Sequence, residues 1–543
     1  MLLINPANAE YGGSLSRWTP LSLPMSIGCL AAVLEQHGHK VEIWDEELLQ
    51  LSEENLEEFV KDLPRPYVFG ITVLTAQVAR SYDLCRLLKK KYPDSSVIMG
   101  GFHVTALPEE PFKHCPVDIV VRGEGERTIV ELYAAIRADN FDFAKIQGLT
   151  YRDKSGNLIK TLERPLIKEL SELPEFPYDK FVAMLDRINK NSPRKKIYDW
   201  GFIVTSRGCP FRCSYCAQRM MTGNTYRWRP IPVVMKELDT LVNRLGARQI
   251  FFLDDNFCFK RSHTIELCEA IRESGLGQKC EFSLQTRADN FYKELVPVMA
   301  AAGFTSVGFG METATARLLD IINKEETVEQ HVEAIARAHA NGMEVAMFMI
   351  FGLPTESHAD RKECYKVVKK MNLTHFKFNN LMPYPGTPMY NDLVKSSRFN
   401  KQGHYENFVS ALSEMGLPIS RRKPLPYVPE ESSEIELMRD MIRYNLLILL
   451  RSSSILGVLR RRKGPGWFQL QENWWAKPGE WMHITKFAWM LFKNLAFSMT
   501  PLFILEPISH WKNPALQRRV PKDQITEYVP SRWTEESWRK EMK

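Results

Sequence analysis

Beyond Cys364 the sequence contains no cysteine, although ten occur up to that point. Seven of them (Cys29, Cys85, Cys115, Cys258, Cys268, Cys280 and Cys364) are scattered without the spacing of a disulfide framework, which points to a reducing cytoplasm. No second C-x-x-C and no H-x3-H pair exists to complete a zinc tetrahedron. The start, Met1-Leu2-Leu3-Ile4-Asn5-Pro6, lacks the pattern of a secretory signal and reads as a strand entering a turn. The apolar stretch 487–505 approaches membrane-span length but is broken by Lys493 and Pro501, so spanning is not expected. No recognisable nucleic-acid module accompanies the net charge of +7, and no nucleic acid is expected as a partner.

What is present is a concentration of thiols. Cys209, Cys213 and Cys216 sit in one eight-residue loop, Cys209-Pro210-Phe211-Arg212-Cys213-Ser214-Tyr215-Cys216, after the strand-like run 202–206 and the turn Arg207-Gly208. Cysteines this close act as ligands of a single metal centre. A four-iron cluster usually takes four cysteines, so three would leave one iron open to bind substrate.

This stretch, with the aromatic Tyr215 before its last cysteine, resembles the signature of the radical S-adenosylmethionine (SAM) superfamily. The resemblance implies a [4Fe-4S] cluster whose open iron chelates SAM and splits it to a 5′-deoxyadenosyl radical. It also implies a low-potential electron donor of ferredoxin or flavodoxin type.

Residues 1–140 alternate apolar β-rich runs (2–5, 41–45, 67–72, 96–100, 118–121) with helical patterns (24–37, 53–61, 76–91, 128–138). That order predicts a doubly wound, Rossmann-like α/β domain, with ligands outside the carboxyl ends of its parallel strands. Asn5-Pro6, Thr72 and Thr75, Gly100-Gly101-Phe102-His103 and Gly123-Glu124-Gly125-Glu126 all fall at that edge. Gly100-Gly101 permits close backbone approach to a bulky ligand and does not complete a dinucleotide fingerprint. The I-T-V-L-T, M-G-G-F-H-V-T and R-G-E-G-E-R-T segments resemble the cobalamin-binding domain fused in front of many radical SAM enzymes. The D-x-H-x-x-G pattern is absent, and the loop from Asn5 to Tyr11 has no histidine. His103 is left as a lower ligand or as a second-layer, backbone-capping residue; the resemblance implies cobalamin bound base-off without a protein histidine.

Residues 141–198 read as a connector: a hairpin from 146–151 and 156–161, then a proline-stiffened link around Leu173-Pro174-Glu175-Phe176-Pro177-Tyr178. From 199 to 395 strands and helices repeat, with strands at 202–206, 249–253, 281–286, 306–310, 344–350 and 376–381. Six such units fit a partial (β/α)6 barrel with functional residues at the strand C-termini. Asp254, Asp255 and Asn256 follow the second strand, Arg287 the third and Glu312 the fourth. Pro383-Tyr384-Pro385-Gly386-Thr387-Pro388 follows the sixth. F-x-D-D-N-F, G-x-E-T and P-Y-P-G-T-P resemble segments of radical SAM enzymes with cobalamin domains. Asp254 and Asp255 either hold the ammonium and ribose of SAM or cap the next helix. Arg287 and Glu312 either match the carboxylate and ammonium of SAM or pair with each other. Tyr384 either relays a proton or packs over SAM.

Residues 396–543 read as helical. From 441 onward there are 17 Lys and Arg against 8 Asp and Glu, a net +9 that leaves about −2 for the rest. Eight of the twelve tryptophans lie there too: Trp467, Trp474, Trp475, Trp481, Trp489, Trp511, Trp533 and Trp538. Tryptophan and Phe/Leu beside Lys/Arg suit either an in-plane helix at a lipid headgroup boundary or a helical cap on the barrel mouth. The expected location is therefore cytoplasmic, with peripheral contact at the inner face of the membrane in the first case. The resemblance implies a C-methyltransferase that carries methylcobalamin and acts on an unactivated carbon of a greasy substrate, such as an isoprenoid lipid or a tetrapyrrole. The alternative is an oxidative cyclase without net methyl transfer. A non-catalytic cobalamin or light sensor would have no need of the three cysteines.

Overall fold

A computed structural model of the chain describes residues 1–7, 23–190, 201–451 and 478–517. The loop residues Asn8 to Tyr11, the basic run Arg460 to Lys463, and Trp467, Trp474, Trp475, Trp533 and Trp538 lie outside the described residues.

The first sheet has seven strands: β1 (Leu2–Asn5), β2 (Glu42–Asp45), β3 (Val68–Thr72), β4 (Ser96–Gly100), β5 (Ile119–Val121), β6 (Leu149–Arg152) and β7 (Leu158–Lys160). Their spatial order is β2-β1-β3-β4-β5-β6-β7, and the first five are parallel. Strands buried on both faces read as continuous apolar runs, and Leu2, Leu3 and Ile4 or Val97, Ile98 and Met99 are almost wholly buried. The connector's expected hairpin forms. It does more than link: β6 pairs antiparallel with β5, so the hairpin extends the sheet.

The second sheet is wholly parallel and six-stranded. Its strands are β8 (Gly201–Ile203), β11 (Gln249–Phe252), β12 (Glu281–Gln285), β13 (Phe304–Glu312), β14 (Glu344–Phe351) and β15 (His375–Asn380), lying side by side in sequence order. A two-stranded ribbon, β9 (Ser206–Arg207) with β10 (Arg227–Trp228), leads into and out of the cysteine loop. Helices follow the strands, as a partial (β/α)6 barrel requires.

One buried apolar core runs through both sheets. The helix Tyr178–Lys190 bridges them: the Tyr178 hydroxyl donates to the carbonyl of Phe202 at 2.8 Å, and Lys180 donates to the carbonyl of Val41 at 2.7 Å. The open edge of β15 is covered by the helix Glu434–Leu449. Its Asn445 accepts from the Phe378 N–H at 3.2 Å and donates to the Phe378 carbonyl at 3.0 Å, which pairs groups a bare edge would leave exposed. The helix Pro478–Met499 packs Met490, Leu491 and Leu495 against Ile442 and Leu446 of that helix. Among the described residues no helix is long and apolar enough to cross a membrane.

Candidate active site

The barrel strands end around a cavity of about 450 Å³ lined by Cys209, Cys213 and Cys216 together with Tyr215, Asp255, Arg287, Glu312, Lys324 and Tyr384. The cysteine loop is anchored from below. Asp255 accepts from the Gly208 N–H at 2.9 Å and from the Thr222 hydroxyl at 3.0 Å, bracketing the thiols on both sides. The Ser214 N–H donates to the Ile322 carbonyl at 2.9 Å, and the Ser214 carbonyl accepts from the Met389 N–H at 3.0 Å. Three loops thereby hold one segment whose sulfurs face the cavity. Among the described residues, the group whose ligand atoms close to within 4.8 Å of one another is Glu110, His114 and His404, not the three cysteines. Thiols spread wider than a single ion tolerates, on one loop and facing a cavity, fit an iron–sulfur cluster better than a closed zinc site.

Tyr215 and Glu312 meet across this cavity, the Tyr215 hydroxyl donating to Glu312 Oε1 at 2.8 Å. Burial first, then Glu312, raises the Tyr215 phenol well above its ordinary range, so it remains a donor. Glu312 sits at φ +65°, where the register of β13 against β14 shifts between Gly310 and Glu312. A non-glycine residue there carries strain of about 1 kcal/mol or more. Its carboxylate folds back over Gly310, where an added Cβ would lie 2.3 Å from Glu312 Oε1. A side chain at Gly310 would therefore push the Glu312 carboxylate away from Tyr215. Lys324 Nζ stands 3.5 Å from Glu312 and 3.2 Å from Glu326. Burial pulls the Lys324 ammonium down, and the two carboxylates more than offset it.

Several sequence expectations need correction. Arg287 does not pair with Glu312. It pairs with Asp289 at 2.9 Å, donates to the Lys324 carbonyl at 2.9 Å, and lies 3.5 Å above the Phe211 ring, with Nη1 3.9 Å from Cys213 Sγ. Asp254 does not line the cavity and caps no helix. Its carboxylate accepts from the Thr205 N–H at 2.6 Å, the Ser206 N–H at 3.0 Å and the Thr205 hydroxyl, so it fixes the turn into the cysteine loop. Asn256 is wholly buried and joins Thr286, Asn290 and the Arg287 N–H, setting the Arg287 loop.

At the edge of the first sheet, Gly101 (φ +109°) makes a close backbone approach to Val73. A Cβ there would stand 3.0 Å from the Val73 nitrogen and oxygen. Gly100 ends β4, its carbonyl accepting from the Val73 N–H at 2.7 Å. Thr72 ends β3, and Thr75 is buried with its hydroxyl 3.4 Å from His103 Nδ1. His103 is 1% exposed, and its Nε2 lies 3.3 Å from Glu110, inside the domain. Glu124 and Glu126 reach across to the barrel: Glu126 pairs with Arg207 at 2.6 Å, and Glu124 with Arg227 at 3.0 Å. Gly123 is bordered by open space, and Gly125 faces Leu30.

These ion pairs set the ligand edge of the first sheet beside the barrel mouth. The helix Phe102–Ala106 packs on Gln218–Thr222, just past Cys216, and Gly386 lies against both Met220 and Ala106. Lys324, Asn379 and Asn380 also line the cavity and escaped the sequence reading. The asparagines end β15, so the rule that flagged Arg287 and Glu312 reaches them. Lys324 lies on a turn between Asn323 (φ +51°) and Glu325 (φ +57°) and has no such signal.

A parallel barrel sheet with a three-cysteine loop at its mouth, beside a doubly wound domain, defines a radical SAM enzyme with a cofactor-binding domain in front. The radical SAM superfamily model matches residues 203–368, and the B12 binding domain model matches residues 21–133. The chain belongs to the radical SAM superfamily and carries an N-terminal cobalamin-binding domain; its cofactors are a [4Fe-4S] cluster, SAM and cobalamin. Among its relatives, an uncharacterized methyltransferase of Pyrococcus horikoshii is 28% identical over 443 residues, covering 80% of this chain and 93% of that protein. The anaerobic magnesium-protoporphyrin IX monomethyl ester cyclase of Rubrivivax gelatinosus is 27% identical over 403 residues, covering 72% and 70%. The fold is shared with the radical SAM methyltransferase TsrM of Kitasatospora setae, solved with cobalamin and a [4Fe-4S] cluster. That likeness has a TM-score of 0.59 at 21% identity, over 74% of this chain and 76% of that one.

Proposed function

We propose that this enzyme is a cobalamin-dependent radical SAM methyltransferase that methylates an unactivated carbon of a hydrophobic, lipid-like or tetrapyrrole substrate. The observation that carries this reading is the adjacency of the two cofactor edges, joined by Arg207–Glu126 and Arg227–Glu124. When bound, the cluster and SAM supply hydrogen abstraction, and the cobalamin supplies a methyl group.

The chain's own residues do the positioning. Cys209, Cys213 and Cys216 would ligate three irons, and Asp255 holds their loop. Glu312, Lys324 and Asn379 offer the polar contacts that a sulfonium amino acid needs, with Tyr215 orienting Glu312. Phe348, Met349, Ile350, Leu381 and Met382 make the remaining wall apolar, which suits a greasy substrate and keeps water from the reacting carbon. Tyr384 closes the rim, its hydroxyl 3.4 Å from the Met382 sulfur, a packing role more than a relay.

The relatives include both methyltransferases and cyclases, so the assay must separate them. Reconstituted protein with reductant, SAM and candidate substrates should yield methylated product, with S-adenosylhomocysteine and 5′-deoxyadenosine together. Turnover giving 5′-deoxyadenosine alone, with a new ring in the product, would establish the cyclase reading instead.

The helices Pro478–Met499 and Leu502–Lys512 expose Trp489, Phe492, Phe503 and Trp511 at 59, 60, 78 and 80%. Together with the net +9 beyond residue 440, this supports a peripheral seat on an anionic lipid surface, from which a lipid-borne substrate could be drawn.

A further inference from the structure

Glu110, His114 and His404 lie apart from the cavity and use chemistry that the proposed reaction does not need. Each offers one ligand atom, and these atoms all lie within 4.8 Å of one another. The three are buried, with 8, 3 and 2% exposure. Glu110 precedes the short helix Pro111–His114 that follows the β4 loop, and His114 ends it. His404 comes from the segment beyond the last barrel strand, so the group joins two distant parts of the chain. The His114 and His404 rings meet edge-on with centroids 4.5 Å apart. Two imidazoles bound tetrahedrally to one ion at about 2.0–2.1 Å would hold their centroids roughly 5 Å apart, a small opening from this pair.

A second observation points the same way. Glu110 Oε1 is buried and accepts no hydrogen bond, while Oε2 faces His103 Nε2 at 3.3 Å. Leaving a buried acceptor unsatisfied costs about 1–3 kcal/mol, more when charged. The nearest cation, Lys401 Nζ, stands 3.7 Å from Oε1 and 4.4 Å over the Tyr405 ring. Such an oxygen, beside two imidazoles whose ligand atoms lie within 4.8 Å, has the form of a ligand set.

We propose that Glu110, His114 and His404 bind a divalent cation of the zinc class, with His103 orienting the Glu110 carboxylate from behind. Two imidazoles and one carboxylate suit zinc, and water completes the tetrahedron. The bound ion ties the helix behind the β4 loop to the 399–408 segment, holding the first domain's ligand edge against the barrel.

The test uses full-length protein with its iron–sulfur cluster reconstituted without oxygen, incubated with zinc chloride and stripped of loose metal by gel filtration. Elemental analysis should find about one zinc per chain in addition to the cluster iron. His404→Gln and Glu110→Gln should each lower retained zinc at least tenfold while leaving the iron content unchanged. Zinc-edge X-ray absorption on the unaltered protein should show nitrogen and oxygen neighbours at about 2.0–2.1 Å and no sulfur at about 2.3 Å. Absence of retained zinc in the unaltered protein overturns the proposal, as does zinc retained equally by both variants. A zinc–sulfur shell also overturns it, since the ion would then sit on Cys209, Cys213 and Cys216. The absorption measurement needs no variant, so it decides even where a substitution prevents folding.

Discussion

The Arg207 guanidinium donates to the Glu126 carboxylate at 2.6 Å, joining β9, just before Cys209, to the first residue of the helix Glu126–Arg137 that follows β5 of the other sheet. Both side chains are largely buried, with 15 and 7% exposure. Burial alone would raise the Glu126 carboxyl; Arg207 holds it below its usual range. The pair therefore ties the segment leading into the cysteine loop to the ligand edge of the first sheet.

Removing one partner tests that statement. Arg207→Ala leaves Glu126 and Glu124 buried with less compensation, a loss of about 3–5 kcal/mol for a broken buried pair. Denaturant unfolding should show that loss. At temperatures where the variant stays folded, 5′-deoxyadenosine formation should persist while methylated product falls at least tenfold, because cleavage needs only the barrel. A parallel fall in both products would show that Arg207 serves the cysteine loop alone.

The cluster assignment makes a separate demand. Cys213→Ala removes one of three thiols on the loop that Asp255 and Ile322 hold in place. Iron and acid-labile sulfide should fall to near background and SAM cleavage should vanish, while the corrin absorption of bound cobalamin is retained. Cobalamin lost along with the iron would mean that the loop shapes both sites.

Much of this arrangement could be read from residue order. Five of the six barrel strands lie within two residues of their expected ends, and the first stops three residues short; the strand ends are marked by the polar or glycine residues that follow them. Which of two adjacent acids meets the cavity could not be read: Asp254 and Asp255 carry the same side chain, and only the folded loop after β11 turns one toward Thr205 and the other toward Gly208. Glu124 and Glu126 show a related limit. Acids at a strand end look alike whether they await a ligand or a partner, and Arg207 and Arg227 lie more than 80 residues away. The Gly100-Gly101 pair reads as a place of close backbone approach, but that Val73 lies against Gly101 is visible only once the folded sheet brings that neighbouring loop near.

Asp254 gives a pH signature. Burial pushes its carboxyl up from 3.8 to about 6, against the hydrogen bonds from Thr205 and Ser206 that favour the charged form. A raised carboxyl binds its proton more tightly in the folded state, so its contribution is greatest below about pH 4. That contribution declines as pH rises and is gone above about pH 6. Asp254→Asn keeps the shape and cannot ionise. Measured by anaerobic denaturation, wild type should lose up to about 3 kcal/mol relative to the variant between pH 4 and 6. A difference that stays flat across that window would place the Asp254 carboxyl near its ordinary value.

The exposed aromatic face separates the lipid seat from a bare cap. Trp489 and Phe492 stack with ring centroids 5.6 Å apart, and both are more than half exposed, while Met490 on the opposite face is buried against the helix Glu434–Leu449. Replacing both exposed rings with glutamate removes apolar area and adds charge of the wrong sign for an anionic surface, without touching the packed face. Sedimentation with phosphatidylglycerol vesicles should fall at least tenfold at low salt, and the thermal midpoint should stay within about 2 °C of wild type. Unchanged sedimentation of the double variant would assign those helices to capping the barrel, and the greasy substrate would then reach the cavity by another route.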